Sequence, residues 1–363
     1  MERAFLVGVL LPYEEKWEKI DSLNELESLC RTAGAEVVGR TLQRRDRINP
    51  AFFIGKGKAE ELRKIADELN IDLFVFDDEL SPAQVRNLEE VTGRKIIDRT
   101  ELILDIFAQH AKTRAAKIEV ELTQLKYRLT RLTGKGIELS RLGGGIGTRG
   151  PGEKKLEVDR RKIKERIRTL QKKLKDIERQ REIQSKRRKE VKRIAIVGYT
   201  NAGKTTLMNR LTHSNLYTDD KLFATLDATT RRLILPNGIK AVITDTIGFI
   251  RRLPHGLISS FHSTLQEAIE ADLRLHVIDA SHPRVELQIM AGNEILEALG
   301  VADKPTLYVF NKIDKDRENV PYLKRNYPDA VFVSALTGEG IDELKERICE
   351  ILKKCSQHSN TTQ

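Results

Sequence analysis

Long apolar runs are missing from this 363-residue chain. No stretch approaches the roughly 20 residues that crossing a bilayer requires. The apolar run near the N-terminus ends at Leu11. It is too short for a signal-peptide core with a cleavage site, and charged residues follow within a few positions. Cysteine is scarce as well. Cys30, Cys349 and Cys355 stand far from any metal-ligand spacing, and their odd, sparse count fits a reducing compartment. These absences predict a soluble, cytoplasmic protein, and nothing in the pattern requires more than a monomer.

Charge is abundant. Charged residues make up 33% of the chain, above the usual quarter, with 64 Lys and Arg against 54 Asp and Glu, a net of +10. Between Lys154 and Arg193 there are 19 Lys and Arg against 7 Asp and Glu, so this one segment is +12 and the remainder is −2. Concentration of that kind predicts a local anionic partner, nucleic acid first and a membrane surface second. On the second reading part of the population would associate with the membrane surface. A lysine-rich solvated helix without a partner explains the same run.

The length calls for two or three domains. Up to about residue 110, short apolar runs alternate with helical patterns. Strands are expected at Phe5–Leu11, Glu36–Val38, Asp72–Phe76 and Lys95–Asp98. A helix carrying Leu23, Leu26 and Leu29 ends near Gly34, another covers Lys58–Leu69, and Ser81-Pro82 opens a third as cap and first turn. Such alternation predicts a small α/β domain with a mainly parallel sheet over 1–112. Two long helical patterns follow over 113–190. The first carries Ile118, Leu122, Leu125, Leu129 and Leu132; the second Leu156, Ile163, Ile167, Leu170, Leu174 and Ile177. This two-sevenths seam is the period of helices packed along their length. Between them, Leu142–Gly152 holds six glycines and a proline, a mobile tip for an antiparallel hairpin. Arg149 and that loop either touch RNA or the bound nucleotide, or they form a plain connector. From 191 to 355 the pattern is a doubly wound α/β domain, with strands at Ile194–Val197, Arg232–Leu235, Ala241–Thr244, Leu275–Ile278, Leu307–Phe310 and Val331–Val333. A polar tail, 356–363, is expected to be disordered.

That last domain carries the chemistry. Gly198-Tyr199-Thr200-Asn201-Ala202-Gly203-Lys204-Thr205 fits G-x-x-x-x-G-K-[ST], follows a strand and opens a helix, which is the context a phosphate loop requires. Glycines let backbone amides curl around phosphate oxygens, and the helix N-terminus adds partial positive charge. Lys204 would neutralise the β and γ phosphates, and the Thr205 hydroxyl would hold Mg²⁺. Asp245-Thr246-Ile247-Gly248 follows the next strand: Asp245 could hold Mg²⁺ through water, and the Gly248 amide could reach the γ-phosphate. Asn311-Lys312-Ile313-Asp314 ends a third strand, where Asp314 would accept two hydrogen bonds from guanine and reject adenine. Asn311 would tie loops together and the Lys312 stem would cover the base. Ser334-Ala335-Leu336 would offer the Ala335 amide to guanine O6. Strand carboxyl ends are where doubly wound sheets bind ligands.

Between the first two motifs lies Phe223-Ala224-Thr225-Leu226-Asp227. Thr225 is the expected second Mg²⁺ ligand and γ-phosphate sensor, with Thr229 and Thr230 as alternatives and a plain turn as the bland reading. Lys204, Thr225 and Gly248 are therefore the candidate catalytic residues. Phe249 occupies the place where many small GTPases have a water-orienting glutamine, so slow intrinsic hydrolysis is expected. Asn201 resembles the phosphate-loop asparagine of potassium-activated GTPases, which would help hold a monovalent cation such as K⁺; an asparagine that only caps the loop fits equally.

Taken together, GYTNAGKT (198–205), FATLD (223–227), DTIG (245–248), NKID (311–314) and SAL (334–336) resemble the HflX family, in the Obg–HflX group of P-loop GTPases. Phe53-Ile54-Gly55-Lys56-Gly57-Lys58 and the glycine-rich LGGGIGTRGPGE (142–153) are also similar to that family, and the likeness covers nearly the whole chain. Ala228 departs from the proline often found there, which bears on switch rigidity. The chain ends after the last helix of the GTPase domain, so contacts made through the C-terminal extension of some relatives are not expected. The resemblance implies GTP and GDP as ligands, binding to the 50S ribosomal subunit and ribosomal RNA, and GTP-dependent separation of stalled or idle ribosomes under stress. A GTP-timed RNA-binding or RNA-remodelling protein is the alternative, and a signalling or metal-delivery switch a third. Gly55–Lys58 reads as a second phosphate-contacting loop or as a simple helix start.

Overall fold

The computed structural model describes residues 1–139, 151–186, 191–214, 216, 222–223, 228–252 and 262–359. Most of the glycine-rich stretch, with Arg149, lies outside these residues, as do Ala224, Thr225, Leu226 and Asp227. The chain divides into two compact units: one holds 1–109 and 117–175, the other 110–116 and 176–363.

In the first unit four strands, β1 (Arg3–Leu10), β2 (Glu36–Arg44), β3 (Leu73–Phe76) and β4 (Lys95–Asp98), form a sheet in the order β2-β1-β3-β4, all parallel. β1 is a nearly unbroken apolar run because both faces of a parallel sheet are covered. Phe5 and Phe74 meet edge-to-face, centroids 5.9 Å apart, and Phe53 and Phe76 do the same at 6.3 Å. The helices are α1 (Lys16–Ala33), α2 (Lys56–Glu68), α3 (Pro82–Thr92) and α4 (Arg99–His110). α3 starts with a capping box, in which Ser81 Oγ accepts from Gln84 N and the Gln84 side chain accepts from Ser81 N. Gly55 is the N-cap of α2, so Gly55–Lys58 is a helix start.

Two long helices follow, α5 (Arg114–Leu139) and α6 (Pro151–Lys186). Pro151 takes the first helical position, where its missing N–H costs nothing. They pair antiparallel: Arg166 bridges Glu121 at 2.7 Å, and further along Arg128 and Leu132 of α5 share a groove with Asp159 and Ile163 of α6. On α6 the predicted seam residues Ile163, Ile167, Leu170 and Leu174 are shielded, and the residues between them are exposed.

Among its described residues the second unit has six strands: β5 (Lys192–Gly198), β6 (Thr229–Ile234), β7 (Lys240–Asp245), β8 (Leu273–Asp279), β9 (Thr306–Asn311) and β10 (Val331–Phe332). Their order is β10-β9-β8-β5-β7-β6, parallel except for the antiparallel edge pair β6–β7. The expected strand at Arg232–Leu235 begins earlier, so Thr229 and Thr230 belong to its ladder; Thr230 Oγ1 lies 3.0 Å from Thr244 Oγ1. Among the described residues of this unit the helices are α7 (Lys204–Thr212), α8 (His262–Glu270), α9 (Val285–Ala298), α10 (Val320–Asn326) and α11 (Ile341–Ser359). α7 and α11 pack with the sheet in one cluster, which contains Ile194, Leu207, Ile243, Leu275, Val309, Leu344 and Ile348. Burial of each such side chain contributes about 1.5–3 kcal/mol. α11 continues through Ser359, so the first residues of the expected polar tail extend a helix. Among the described residues, no helix is long and apolar enough to cross a membrane.

Candidate nucleotide site

β5 carries the chain into the sheet interior and releases it at Gly198, φ +140°, where an added Cβ would stand 2.1 Å from Val277 O. Only glycine fits so close a backbone approach. The loop turns through Asn201, φ +60°, and Gly203, φ +86°, and Lys204 begins α7. Lys204 is buried, and its Nζ donates to Tyr199 O at 2.8 Å. Its pKa falls from 10.5 to about 8, chiefly because burial penalises the ammonium; the Asp245 carboxylate opposes the shift and Lys312 adds to it. Thr205 Oγ1 donates to Asp245 Oδ2 at 2.6 Å, so the ends of the phosphate loop and of β7 are joined.

Past Asp245 the chain runs beside the loop. Thr246 Oγ1 donates to Ile196 O at 2.7 Å. Phe249 N donates to Gly198 O at 2.9 Å, Thr200 N to Phe249 O at 2.7 Å, and Arg251 N to Tyr199 Oη at 3.0 Å. A Cβ on Gly248 would meet Thr200 Cγ2 at 2.8 Å and Lys204 Nζ at 2.9 Å. Ile247 and Phe249 are buried, and the Phe249 ring meets His276 edge-to-face with centroids 6.4 Å apart. Phe249 therefore faces the core. His276 is itself buried against Gly292, and burial pushes its pKa down to about 4, with Lys204 adding to the shift.

The third and fourth segments lock onto the first. Asn311 Nδ2 donates to Ala202 O at 2.9 Å, and Asn311 Oδ1 accepts from Ala335 N at 2.9 Å. Lys312, φ +65°, donates to Asn201 O at 2.6 Å and to Asp279 Oδ2 at 2.7 Å. Ile313 is buried and Asp314 is half-buried, its carboxylate unpaired among the described residues. Ser334 is buried; its Oγ accepts from Thr337 N at 3.1 Å. Leu336 is exposed, and its carbonyl accepts from Arg210 Nη2 at 2.7 Å.

Four of the five sequence segments thus converge at the carboxyl edge of the six-stranded sheet. Of the fifth, Phe223 is buried with φ +56° and Ala224–Asp227 lie outside the described residues. The Ala335 amide, the expected donor to guanine O6, donates to Asn311 Oδ1 in this structure. Thr229 and Thr230 are ladder residues, which weakens them as alternatives to Thr225. Sequence reasoning missed Asp279, the end of β8 that anchors Lys312; its signal was an acidic residue closing an apolar strand, as at Asp245. It also missed Arg210, for which an exposed arginine in a helix gave no signal.

Three family models match in succession: "GTP-binding GTPase N-terminal" over residues 20–108, "GTP-binding GTPase Middle Region" over 110–188 and "50S ribosome-binding GTPase" over 193–312. The chain is 52% identical over 354 residues to the GTPase HflX of Lacrimispora saccharolytica, covering 97% of this chain and 83% of that one. It is 50% identical over 349 residues to the GTPase HflX of Caldanaerobacter subterraneus subsp. tengcongensis, covering 96% and 80%. Among solved structures, the SsGBP–GDP complex is similar at 27% identity and a TM-score of 0.53, covering 98% of this chain and 100% of that one.

Proposed function

The chain belongs to the HflX family of GTPases and hydrolyses GTP, and from that premise we propose that it binds the large ribosomal subunit and uses its nucleotide cycle to separate stalled or idle ribosomes. The observation that carries the nucleotide half is the interlock of the Gly198–Thr205, Asp245–Gly248, Asn311–Asp314 and Ser334–Leu336 segments, made by Asn311, Lys312 and Thr205.

In this reading the Gly198–Thr205 amides cradle the phosphates, Lys204 faces the β and γ groups, and the Gly248 amide reaches the γ-phosphate. Thr205 and buried Asp245 supply hard oxygens, already paired at 2.6 Å, which fit Mg²⁺ held by the hydroxyl directly and by the carboxylate through water. When bound, that ion neutralises charge on the β and γ phosphates; Thr225 would add the second protein oxygen. Asp314, with no protein partner among the described residues, is free to accept from guanine N1 and N2. With the Ala335 amide on Asn311, the Leu336 amide is the next donor available for O6. The Asn201 side chain remains the candidate contact for K⁺, and equal hydrolysis rates in potassium and sodium buffers would remove it.

The ribosomal half is supported by the family model over 193–312 and by exposed basic residues along α6, among them Arg160, Lys164, Arg168 and Lys172. Cosedimentation with ribosomes and subunits, in GDP and in a non-hydrolysable GTP analogue, tests it. Binding to the large subunit and a loss of 70S particles are expected with the analogue alone. Binding indifferent to nucleotide would end the switch model, and hydrolysis stimulated equally by free RNA would favour the RNA-remodelling alternative.

A further inference from the structure

Residues 198–200 and 248–251 run side by side, zipped by Thr200 N to Phe249 O (2.7 Å), Phe249 N to Gly198 O (2.9 Å) and Arg251 N to Tyr199 Oη (3.0 Å). Two side chains close on Gly248 at this seam. Thr200 Cγ2 and Lys204 Nζ stand 2.8 and 2.9 Å from where a Gly248 Cβ would be. Thr200 is 5% exposed, and its Oγ1 is shielded from water with no hydrogen-bond partner among the described residues. The other polar contacts given for this seam are made by backbone groups, by the Tyr199 hydroxyl and by Lys204. A buried hydroxyl left without a partner is unfavourable for folding alone. It fits a residue whose partner arrives with the substrate. Phe249, turned into the core against His276, offers no polar atom to orient water.

We propose that Thr200 is a catalytic residue for GTP hydrolysis, its hydroxyl hydrogen-bonding the water that attacks the γ-phosphorus. The water oxygen bonds to the γ-phosphorus as the bond to the β–γ bridging oxygen breaks. The bridging oxygen leaves on GDP with the electron pair, and the hydrogens of the water end on inorganic phosphate. Thr200 orients the water and keeps its own proton in the net reaction. The inference rests on reading Gly248 and Lys204 as γ-phosphate contacts.

The test uses the full chain with T200V, which keeps the shape and deletes the hydroxyl, and T200S, which keeps the hydroxyl. Single-turnover GTP hydrolysis, GDP affinity and nucleotide-free Tm are measured. T200V is expected to slow hydrolysis roughly tenfold or more, with GDP affinity within about twofold and Tm unchanged or raised, because an unpaired buried group has been removed. T200S is expected to recover most of the lost rate. Wild-type hydrolysis by T200V would overturn the proposal. So would a fall in Tm and in GDP affinity together with rate, which marks a packing role. G248A tests the underlying reading separately: unchanged affinity for a non-hydrolysable GTP analogue would remove the γ-phosphate assignment itself, whatever T200V does.

Discussion

In the proposed site Lys204 would face the phosphates and Asp314 the base, and each assignment has an electrostatic consequence that can be measured alone. In the nucleotide-free protein Lys204 loses its proton near pH 8 instead of 10.5, mainly because it is buried. An unfolded chain holds that proton to higher pH, so between about 8 and 10.5 the unfolded state binds more protons and folding stability gains from this group as pH rises. Nucleotide binding has the opposite linkage. Phosphate charge beside Lys204 raises its pKa again, so above pH 8 GTP binding must take up a proton. Affinity should be flat below about pH 8 and weaken by up to about tenfold per unit above it. Calorimetry at pH 9 in buffers of different ionisation heat should show uptake approaching one proton; no uptake would contradict a buried lysine at the phosphates. At the base end, Asp314→Asn replaces an acceptor with an amide that donates to the 2-oxygen of xanthine and clashes with the donors of guanine. Competition binding should show GTP affinity falling by about 10-fold or more with XTP binding gained, and retained GTP preference would move base recognition elsewhere.

Elements are held by a few buried polar contacts whose partners lie far apart in sequence. Asp98, fully buried at the end of β4, accepts from Leu80 N, Glu101 N, Tyr127 Oη at 2.7 Å and Arg131 Nη2 at 2.7 Å. Tyr127 and Arg131 are one turn apart on α5, with the guanidinium 4.3 Å over the ring, so this carboxylate fastens the helix to the sheet. Burial, followed by the adjacent Asp98, pushes the Tyr127 hydroxyl pKa up and keeps it a donor at any working pH. Arg131→Met would leave the carboxylate short of its counter-ion and should cost about 3 kcal/mol; Tyr127→Phe should cost about 2 kcal/mol. Trp17 is the only tryptophan and lies in α1 of the same unit, so urea denaturation followed by its fluorescence reads this loss directly. GDP affinity should not change. The fastening was not legible in the sequence, and the reason is general. Periodicity exposed the helical seam, and turn chemistry exposed the α3 cap and the phosphate loop, because those signals are local. Asp98 with Tyr127, or Ala335 with Asn311, are choices of one acceptor among many, made only when distant segments meet. α4 was missed for another reason: Thr100, Leu102, Ile103, Leu104, Ile106 and Phe107 are all buried, so its polar stripe is only one residue wide, at Glu101, Asp105 and Gln109.

At the scale of the whole molecule, the charge is divided as sharply as the chemistry. The segment from Lys154 to Arg193 is +12 and everything else sums to −2, so one stretch, most of it α6, carries the attraction to polyanions. Over the described part of α6, Ile163, Ile167, Leu170 and Leu174 are shielded, while Arg160, Lys164, Arg168 and Lys172 are exposed and free of a packing role. Lys164, Arg168 and Lys172 lie four apart along one stripe and, among the described residues, make no ion pair, unlike Arg166, which is bound to Glu121. Replacing these three by glutamine removes charge from an exposed stripe and should leave Tm and GDP affinity unchanged. If each meets a phosphate of ribosomal RNA, each loss releases one fewer counterion. The slope of log affinity against log salt should then become shallower by about 0.7–0.9 per residue, or about 2–3 in all. Binding should weaken most at low salt and converge with the wild-type protein as salt rises. Cosedimentation with large subunits across a salt series measures that slope. A parallel drop at every salt concentration would mean these side chains act through shape, and an unchanged line would leave the basic stripe as a solvated helix face.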